Sequence, residues 1–375
     1  MKVIINGKFL TQNISGVQRY AMEIAKRLRQ QNADILVVSP ANIIHTELAE
    51  MLGARVVGKG SGHRWEQFSL PAFLKKEFGH QKYLLLNFTN TAPLLCRNNI
   101  VTLHDITFIR FADSYSFLFS TYYKFIIPRI VKNAKMVFTV SETAKRELAD
   151  YFKLSANRIG VTYNAIDQSV FNEKETSEED EGSSLLQKHG VSRFMLAVSM
   201  FNPIKNLMRL MEAFTQERPA GVKLVVVGEH YKSFRKDPAM DAFRIDPDIV
   251  FLGRIDNARM INFLYRKADL FAFPSLYESF GIPPLEAMAS GCPVLVSRAG
   301  ALPEVCGDAA EYVDPYNTAD IASGIRRVLQ DETLRSRLVR AGRERVQHFR
   351  WEAAVAAISS QLEQLGVQRQ TKKAD

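Results

Sequence analysis

The sequence predicts a two-domain α/β protein in which each domain is built on a doubly wound parallel sheet. Three observations carry that prediction. The chain has 375 residues, enough for two cores of ordinary size. Short apolar runs bounded by Gly, Pro, Asn or Ser recur along it, and helical segments with amphipathic spacing stand between most of them, an alternation that implies parallel pairing. Polar and glycine-bearing turns follow several runs, at the carboxyl ends of strands, where such sheets bind ligands.

In the first half, Lys2–Asn6 reads as a strand and Val17–Arg29 as a helix with Tyr20, Ile24 and Leu28 on one face. Strands are predicted over Asp34–Val38, Arg55–Val57, Tyr83–Asn87, Ile100–Leu103, Lys135–Val140 and Arg158–Thr162, with helices such as Trp65–Glu77 and Glu142–Phe152 between them. Ser15-Gly16-Val17 precedes the first helix as a cap and a close-approach glycine would. Residues 108–133 mix Phe108, Phe111, Tyr115, Phe117, Phe119, Tyr122, Tyr123 and Phe125 with Arg110, Lys124, Arg129 and Lys132. That mixture suits either a core helix or a surface touching lipid headgroups, and Pro128 is expected to kink or bound the helix.

The acidic stretch around Glu173, Glu175, Glu178, Glu179, Asp180 and Glu181 has no periodicity and reads as a flexible connection. The expected division is therefore 1–165, a linker 166–190, 191–347, and a tail 348–375. In the second half, strands are predicted over Arg193–Ser199, Lys223–Val227, a run ending at Phe251-Leu252-Gly253, Asp269–Phe273, Pro293–Ser297 and Ala310–Val313. Leu207–Phe214, Asn257–Ala268, Asp320–Leu329 and Leu334–Gln347 read as helices, as does the charged segment His230–Arg244. Trp351–Leu365 presents Val355, Ile358, Leu362 and Leu365 on one helical face, and Gln368–Asp375 reads as frayed.

Composition narrows the function classes. No apolar run approaches a membrane span, the N-terminal strand lacks a signal-peptide flank, and Cys96, Cys292 and Cys306 have neither paired nor metal-ligand spacing, so a cytoplasmic location is expected. The net charge of +9 is unevenly placed: residues 1–165 hold 22 basic against 11 acidic residues, +11, and the remainder holds 27 against 29, −2. A basic first half invites anionic lipid or a pyrophosphate-bearing acceptor, or is merely a solubilising surface; no nucleic-acid-binding signature accompanies it.

The chemistry concentrates in Tyr277–Gly291. A buried strand ends at Phe273, and a helix follows, because Pro283 and Pro284 suit only a first turn and Gly291 suits a stop. Gly281 in the turn lets backbone approach a ligand, and the N–H groups of Phe280, Gly281 and Ile282 face outward at a helix start, a seat for phosphate. Glu278 and Glu286 flank that seat, and carboxylates accept hydrogen bonds from vicinal hydroxyls. A phosphate seat between two sugar-gripping acids is what a nucleotide sugar requires; the bland alternative is an ordinary turn with surface glutamates.

With Glu278 and Glu286 in an E-x7-E spacing, Pro-Ser-Leu-Tyr-Glu-Ser-Phe-Gly-Ile-Pro-Pro-Leu-Glu-Ala-Met-Ala-Ser-Gly-Cys-Pro-Val resembles the signature of retaining nucleotide-sugar glycosyltransferases of family 4. The resemblance runs from Lys2 to about Leu365. It implies the GT-B fold, two Rossmann-like domains facing a cleft, with the C-terminal helix crossing back to the first domain. It implies sugar transfer from a nucleotide sugar; mannose from GDP-mannose is the favoured guess, and the basic, aromatic first half suits a polysaccharide or lipid-linked oligosaccharide acceptor at a bacterial surface. Under it, Glu286 holds the ribose, Glu278 holds the transferred sugar and stabilises positive charge at its anomeric carbon, and His104, at a strand end, contacts that sugar. Gly16 lies against the donor diphosphate or the acceptor. Lys205 matches the lysine of the family's basic pair on the diphosphate; the arginine usually found earlier in that loop is absent, with Met200 near its place, and Arg254 is the expected substitute.

No His cluster and no Asp-x-Asp ahead of a suitable strand is read, so a metal-independent transfer without cofactor is expected. Other readings stay open. His104 is also explained as a histidine satisfied by Asp105 or backbone, and Lys205 and Arg254 as solvated loop residues. A sugar-nucleotide epimerase or a non-catalytic nucleotide-binding subunit fits the same architecture, whereas a dinucleotide oxidoreductase is disfavoured because no G-x-G-x-x-G follows a strand.

Overall fold

A computed structural model describes residues 1–79, 81–175, 177–229 and 240–367. The predicted helix His230–Arg244 is described only over Met240–Arg244, and His230–Ala239 and the predicted frayed end Gln368–Asp375 lie outside the described residues. The chain divides into two compact units: residues 1–110, 118–164 and 350–375, and residues 111–117 and 165–349.

The first unit holds a parallel seven-stranded sheet of β1 (Lys2–Asn6), β2 (Leu36–Ser39), β3 (Arg55–Val56), β4 (Tyr83–Asn87), β5 (Asn99–Thr102), β6 (Met136–Thr139) and β7 (Ile159–Val161), in the order β3-β2-β1-β4-β5-β6-β7. The second holds a parallel six-stranded sheet of β8 (Phe194–Val198), β9 (Lys223–Val227), β10 (Ile249–Gly253), β11 (Leu270–Phe273), β12 (Val294–Ser297) and β13 (Glu311–Val313), in the order β10-β9-β8-β11-β12-β13. In each sheet the order reverses once, between β1 and β4 and between β8 and β11. Doubly wound sheets open a ligand crevice at such a reversal, because the flanking connections leave to opposite faces. Buried Ile, Leu and Val dominate the strands, as both faces of a parallel sheet are covered.

The C-terminal helix Trp351–Gln364 belongs to the first unit, as the expected crossing back requires. Tyr20 lies 6.1 Å from the Trp351 ring, and Arg27 Nε donates to Glu352 at 3.0 Å. Val355, Ile358 and Leu362 form the buried face read from the periodicity.

Three local expectations are corrected. The connection 166–190 is not a structureless link: Glu179–Lys188 is a helix with Leu186 buried, Phe171 is buried 6.3 Å from the Tyr265 ring, and Glu173 pairs with both Arg343 nitrogens at 2.6 Å. Acidic side chains there find arginines of the second unit, which composition alone could not reveal. The aromatic-basic segment is both core and surface: the helix Phe117–Asn133 buries Ile126, Ile127, Ile130 and Val131 but exposes Phe117, Leu118 and Phe125, and Pro128 lies inside it rather than at its boundary. Ser15 sits at the cap position, but its hydroxyl donates to the Gln18 side chain instead of capping backbone.

Candidate functional site

In the second unit, the strand ends at the β8–β11 reversal bring together residues far apart in sequence. β8 is followed by the turn Pro203–Lys205, initiated by Asn202, whose side chain accepts from the Lys205 N–H at 3.1 Å. β11 is followed by Pro274–Gly281, tied to that turn by Leu276 N–H donating to the Ile204 carbonyl at 2.7 Å. The buried Asn206 side chain donates to the carbonyls of Pro274 and Pro315 and fixes both loops. In this frame Lys205 Nζ donates to Glu278 Oε1 at 2.6 Å, with side chains 20 % and 13 % exposed, and stands 5.4 Å from the Phe273 ring centre.

The turn before the helix Ile282–Ala289 is set by two glycines. Gly281 has φ +108°, a conformation that side chains resist, and a Cβ there would lie 2.7 Å from Leu302. Gly300, in the loop after β12, has φ +56°, and a Cβ there would lie 2.2 Å from the Glu278 carbonyl oxygen. Ala301 N–H donates to that same oxygen at 2.8 Å. The backbone of Glu278 is thus clamped from the β12 side while its carboxylate meets Lys205. Pro283 and Pro284 carry no N–H, so the outward donors at this helix start come from Gly281 and Ile282.

Glu286 is buried on that helix and accepts from Tyr265 Oη at 3.4 Å. Phe280 is buried with its ring 5.4 Å from Phe349, so it contributes packing and backbone. Ile282 is half-buried at the first turn. Arg254, expected as the substitute cation, is exposed and shared between Asp256 at 2.6 Å and Glu229 at 3.4 Å. The reading that no Asp-x-Asp precedes a strand is corrected: Asp246 and Asp248 stand directly ahead of β10, but both are held by Arg218, at 2.6 and 2.8 Å. Among the described residues no group of three His, Cys, Asp or Glu side chains is placed to hold a metal ion.

In the first unit, His104 follows β5 and is buried, with its ring Nε2 2.9 Å from the Phe88 carbonyl and its backbone N–H donating to Asn90 Oδ1. A carbonyl only accepts, so Nε2 carries the proton and Nδ1 the lone pair. Burial lowers the His104 pKa against the Phe88 bond and the Asp105 charge, which keeps the ring neutral. Gly16 is the exposed first residue of the helix Gly16–Gln31.

Sequence reasoning missed a second polar centre at the β1–β4 reversal. Lys8 Nζ, after β1, lies 2.8 Å from Glu66 Oε1 and 2.5 Å from Thr91 Oγ1. Asn6 Nδ2 donates to Glu66 Oε1 at 2.9 Å, and Thr91 Oγ1 donates to Glu66 Oε2 at 2.7 Å. Burial would raise the Glu66 pKa, but the Lys8 charge and the contacts from His63, Lys8 and Thr91 outweigh it and hold it at about 2. The one sequence signal was Gly7-Lys8 directly after a strand. A shallow depression of about 450 Å³ beside Leu186 and Val191 contains no titratable group and none of these residues.

Two family models match the chain, glycosyl transferases group 1 over residues 183–345 and glycosyltransferase family 4 over residues 14–170. The O-antigen chain mannosyltransferase RfbU of Salmonella typhimurium is 29 % identical over 348 residues, covering 88 % of this chain and 91 % of that protein. The O-antigen chain mannosyltransferase B of Escherichia coli is 25 % identical over 377 residues, covering 94 % and 97 %. Among solved structures, Anabaena Alr3699/HepE in complex with UDP superposes with a TM-score of 0.75 at 20 % identity, covering 97 % of this chain and all of that one, a likeness of fold.

Proposed function

The chain belongs to the family 4 glycosyltransferases, and from that premise we propose that it transfers mannose from GDP-mannose, with retention of configuration, to a polysaccharide or lipid-linked oligosaccharide acceptor in bacterial surface-glycan synthesis. The observation that carries the reading is the Lys205–Glu278 pair beside the Gly281 helix start, at the reversal of the second sheet. The two O-antigen mannosyltransferases among its relatives support the choice of sugar and acceptor class.

In this reading the donor replaces an existing contact. The diphosphate takes Lys205 and the amides of Gly281 and Ile282, whose helix dipole favours anionic charge. Glu278, released from Lys205, accepts from a hydroxyl of the transferred sugar, and Glu286, oriented by Tyr265, accepts from the ribose. His104 offers its Nδ1 lone pair to a sugar hydroxyl. Gly16 leaves room for the diphosphate or the acceptor at a helix start, and Arg254 contributes only if the donor displaces Glu229 and Asp256. The bond from the anomeric carbon to the diphosphate breaks, the acceptor oxygen bonds to the same face, and its proton passes to the leaving phosphate oxygen. Charge on the leaving group is met by Lys205 and backbone, without metal. The outer face of Phe117–Asn133, with Leu118 and Phe125 exposed among Lys124, Arg129 and Lys132, is assigned to contact with an anionic membrane.

The test is thermal stability against a panel of nucleotide sugars, followed by NMR of the transferred linkage. GDP-mannose raises the Tm, by an amount worth about 2.7 kcal/mol at a hundredfold excess over Kd. Stabilisation by a UDP-sugar alone discards the donor assignment, and an inverted linkage discards retention.

A further inference from the structure

The polar centre at the β1–β4 reversal has no part in the donor reading. Glu66 sits on a π-helical turn, Trp65–Ser69, an uncommon widening of a helix that recurs at functional sites. Lys8 and Asn6 hold its Oε1, and Thr91 donates to its Oε2. His63 Nδ1 approaches that same Oε2 at 3.4 Å, too long for an ordinary hydrogen bond. The Tyr122 hydroxyl also faces this charge, and burial and Glu66 together raise its pKa. Tyr122 Oη is buried without a hydrogen-bond partner, and His63 Nδ1 is buried with this long approach to Glu66. A buried polar atom left unpaired is costly and uncommon, so its place beside a carboxylate calls for a reason.

His63 Nδ1 is buried while the side chain as a whole is 40 % exposed, so the exposure falls on the rest of the side chain, whose one other polar atom is Nε2. An anionic carboxylate beside Nδ1 favours the tautomer protonated there, leaving Nε2 as an acceptor toward solvent. The surroundings are aromatic: the His63 ring centre is 4.9 Å from Tyr122 and 5.9 Å from Tyr123, and Phe119, 36 % exposed, stacks on Tyr123 at 4.1 Å. Because Glu66 pairs with Lys8, that cation is not free for phosphate, and the centre offers hydrogen bonding and ring faces.

We propose that His63, on its Glu66 support and beside the Phe119–Tyr123 stack, binds a neutral hydroxylated ring, one sugar residue of the acceptor. His63 Nε2 accepts from a ring hydroxyl, and the weakly positive C–H face of the sugar lies on the electron-rich aromatic faces. Glu66 and Tyr122 are positioning residues, holding the imidazole tautomer and the ring plane. The identification of the ligand as acceptor rests on the proposed transfer; the hydroxylated-ring chemistry does not.

The experiment uses the full chain, with His63 resonances assigned through His63→Gln. Long-range proton–nitrogen NMR near neutral pH is expected to show Nδ1 protonated and Nε2 bare. Methyl α-D-mannopyranoside, methyl α-D-galactopyranoside and methyl α-L-rhamnopyranoside are then offered in turn. At least one shifts the His63 signals and receives saturation transfer from the protein. His63→Ala and Phe119→Ala each weaken that binding about fivefold, the loss of roughly one contact, while stabilisation by GDP-mannose is unchanged. The proposal is overturned by an Nε2-protonated ring, by His63 signals indifferent to all three glycosides, by undiminished binding in both variants, or by inorganic phosphate as the preferred ligand. Failure of GDP-mannose to stabilise the protein, with glycoside binding intact, removes the donor reading and leaves this site standing.

Discussion

Lys205 Nζ and Glu278 Oε1, 73 residues apart in sequence, meet at 2.6 Å where the order of the second sheet reverses. Under the proposed function the donor separates them, its diphosphate taking Lys205 and a sugar hydroxyl taking Glu278. Lys205→Ala should therefore raise the donor KM and lower transfer on the order of 10²-fold, the effect of removing one fixed positive donor from a leaving group. Glu278→Gln frees Lys205, so donor binding holds or tightens while kcat falls. Steady-state kinetics of both variants, with and without EDTA, checks this; sensitivity of the wild type to EDTA would speak against the metal-free assignment.

Glu286 is buried and accepts from Tyr265 Oη, and the proposed function gives it the ribose hydroxyls. Glu286→Ala should raise the donor KM with a smaller change in kcat, since a ribose contact is the same in ground and transition state. Unchanged donor KM removes Glu286 from the site.

Gly281 has φ +108° and faces Leu302. Gly281→Ala must strain the turn or push Leu302 aside, at a cost of about 1–3 kcal/mol. The expected result is a lower Tm and a larger loss of donor affinity than the destabilisation explains, because the Gly281 and Ile282 amides move with the turn. Urea unfolding and nucleotide titration of the same variant separate the two effects.

Glu66 predicts an acid transition in stability. Its folded pKa of about 2 lies below the ordinary 4.5, so the folded state binds its proton less readily than the unfolded chain. The stability it contributes, on the order of 3 kcal/mol, is complete above about pH 4.5 and drains away as the pH falls toward 2. Glu66→Gln should flatten the Tm profile across that window. Lys8→Met alone, leaving the carboxylate buried without its cation, should cost about 3–5 kcal/mol at neutral pH, and the double variant should recover part of the loss.

The exposed apolar and basic face of Phe117–Asn133 predicts sedimentation with phosphatidylglycerol vesicles and not with phosphatidylcholine vesicles. Leu118→Ser with Phe125→Ser should abolish it, and Lys124→Glu with Lys132→Glu should weaken it by about 1 kcal/mol per charge removed, more at low salt than at high. Equal binding to both lipids sinks the charge component of the reading.

The strands and most helices were legible because each is a local pattern: Leu270–Phe273 and Lys223–Val227 declare buried strands by composition, and Val355, Ile358 and Leu362 declare a helix face by spacing. Lys205, Glu278 and Gly281 were legible as residue types placed just after strands. Their relationships were not, since the Lys205–Glu278 bond and the Gly300 clamp join loops from different strands, and sequence order says nothing of which loops meet. Lys8 and Glu66 were missed for a related reason. A lysine and a glutamate read as surface residues, and only a partner 58 positions away makes their burial tolerable. The sequence by itself determined the elements, their parallel α/β class and the chemical character of the strand ends. The tertiary structure alone decided which charges face each other and which polar atoms are left unpaired, because pairing energies depend on distance and burial, which exist only once the sheets reverse their order and bring distant loops together.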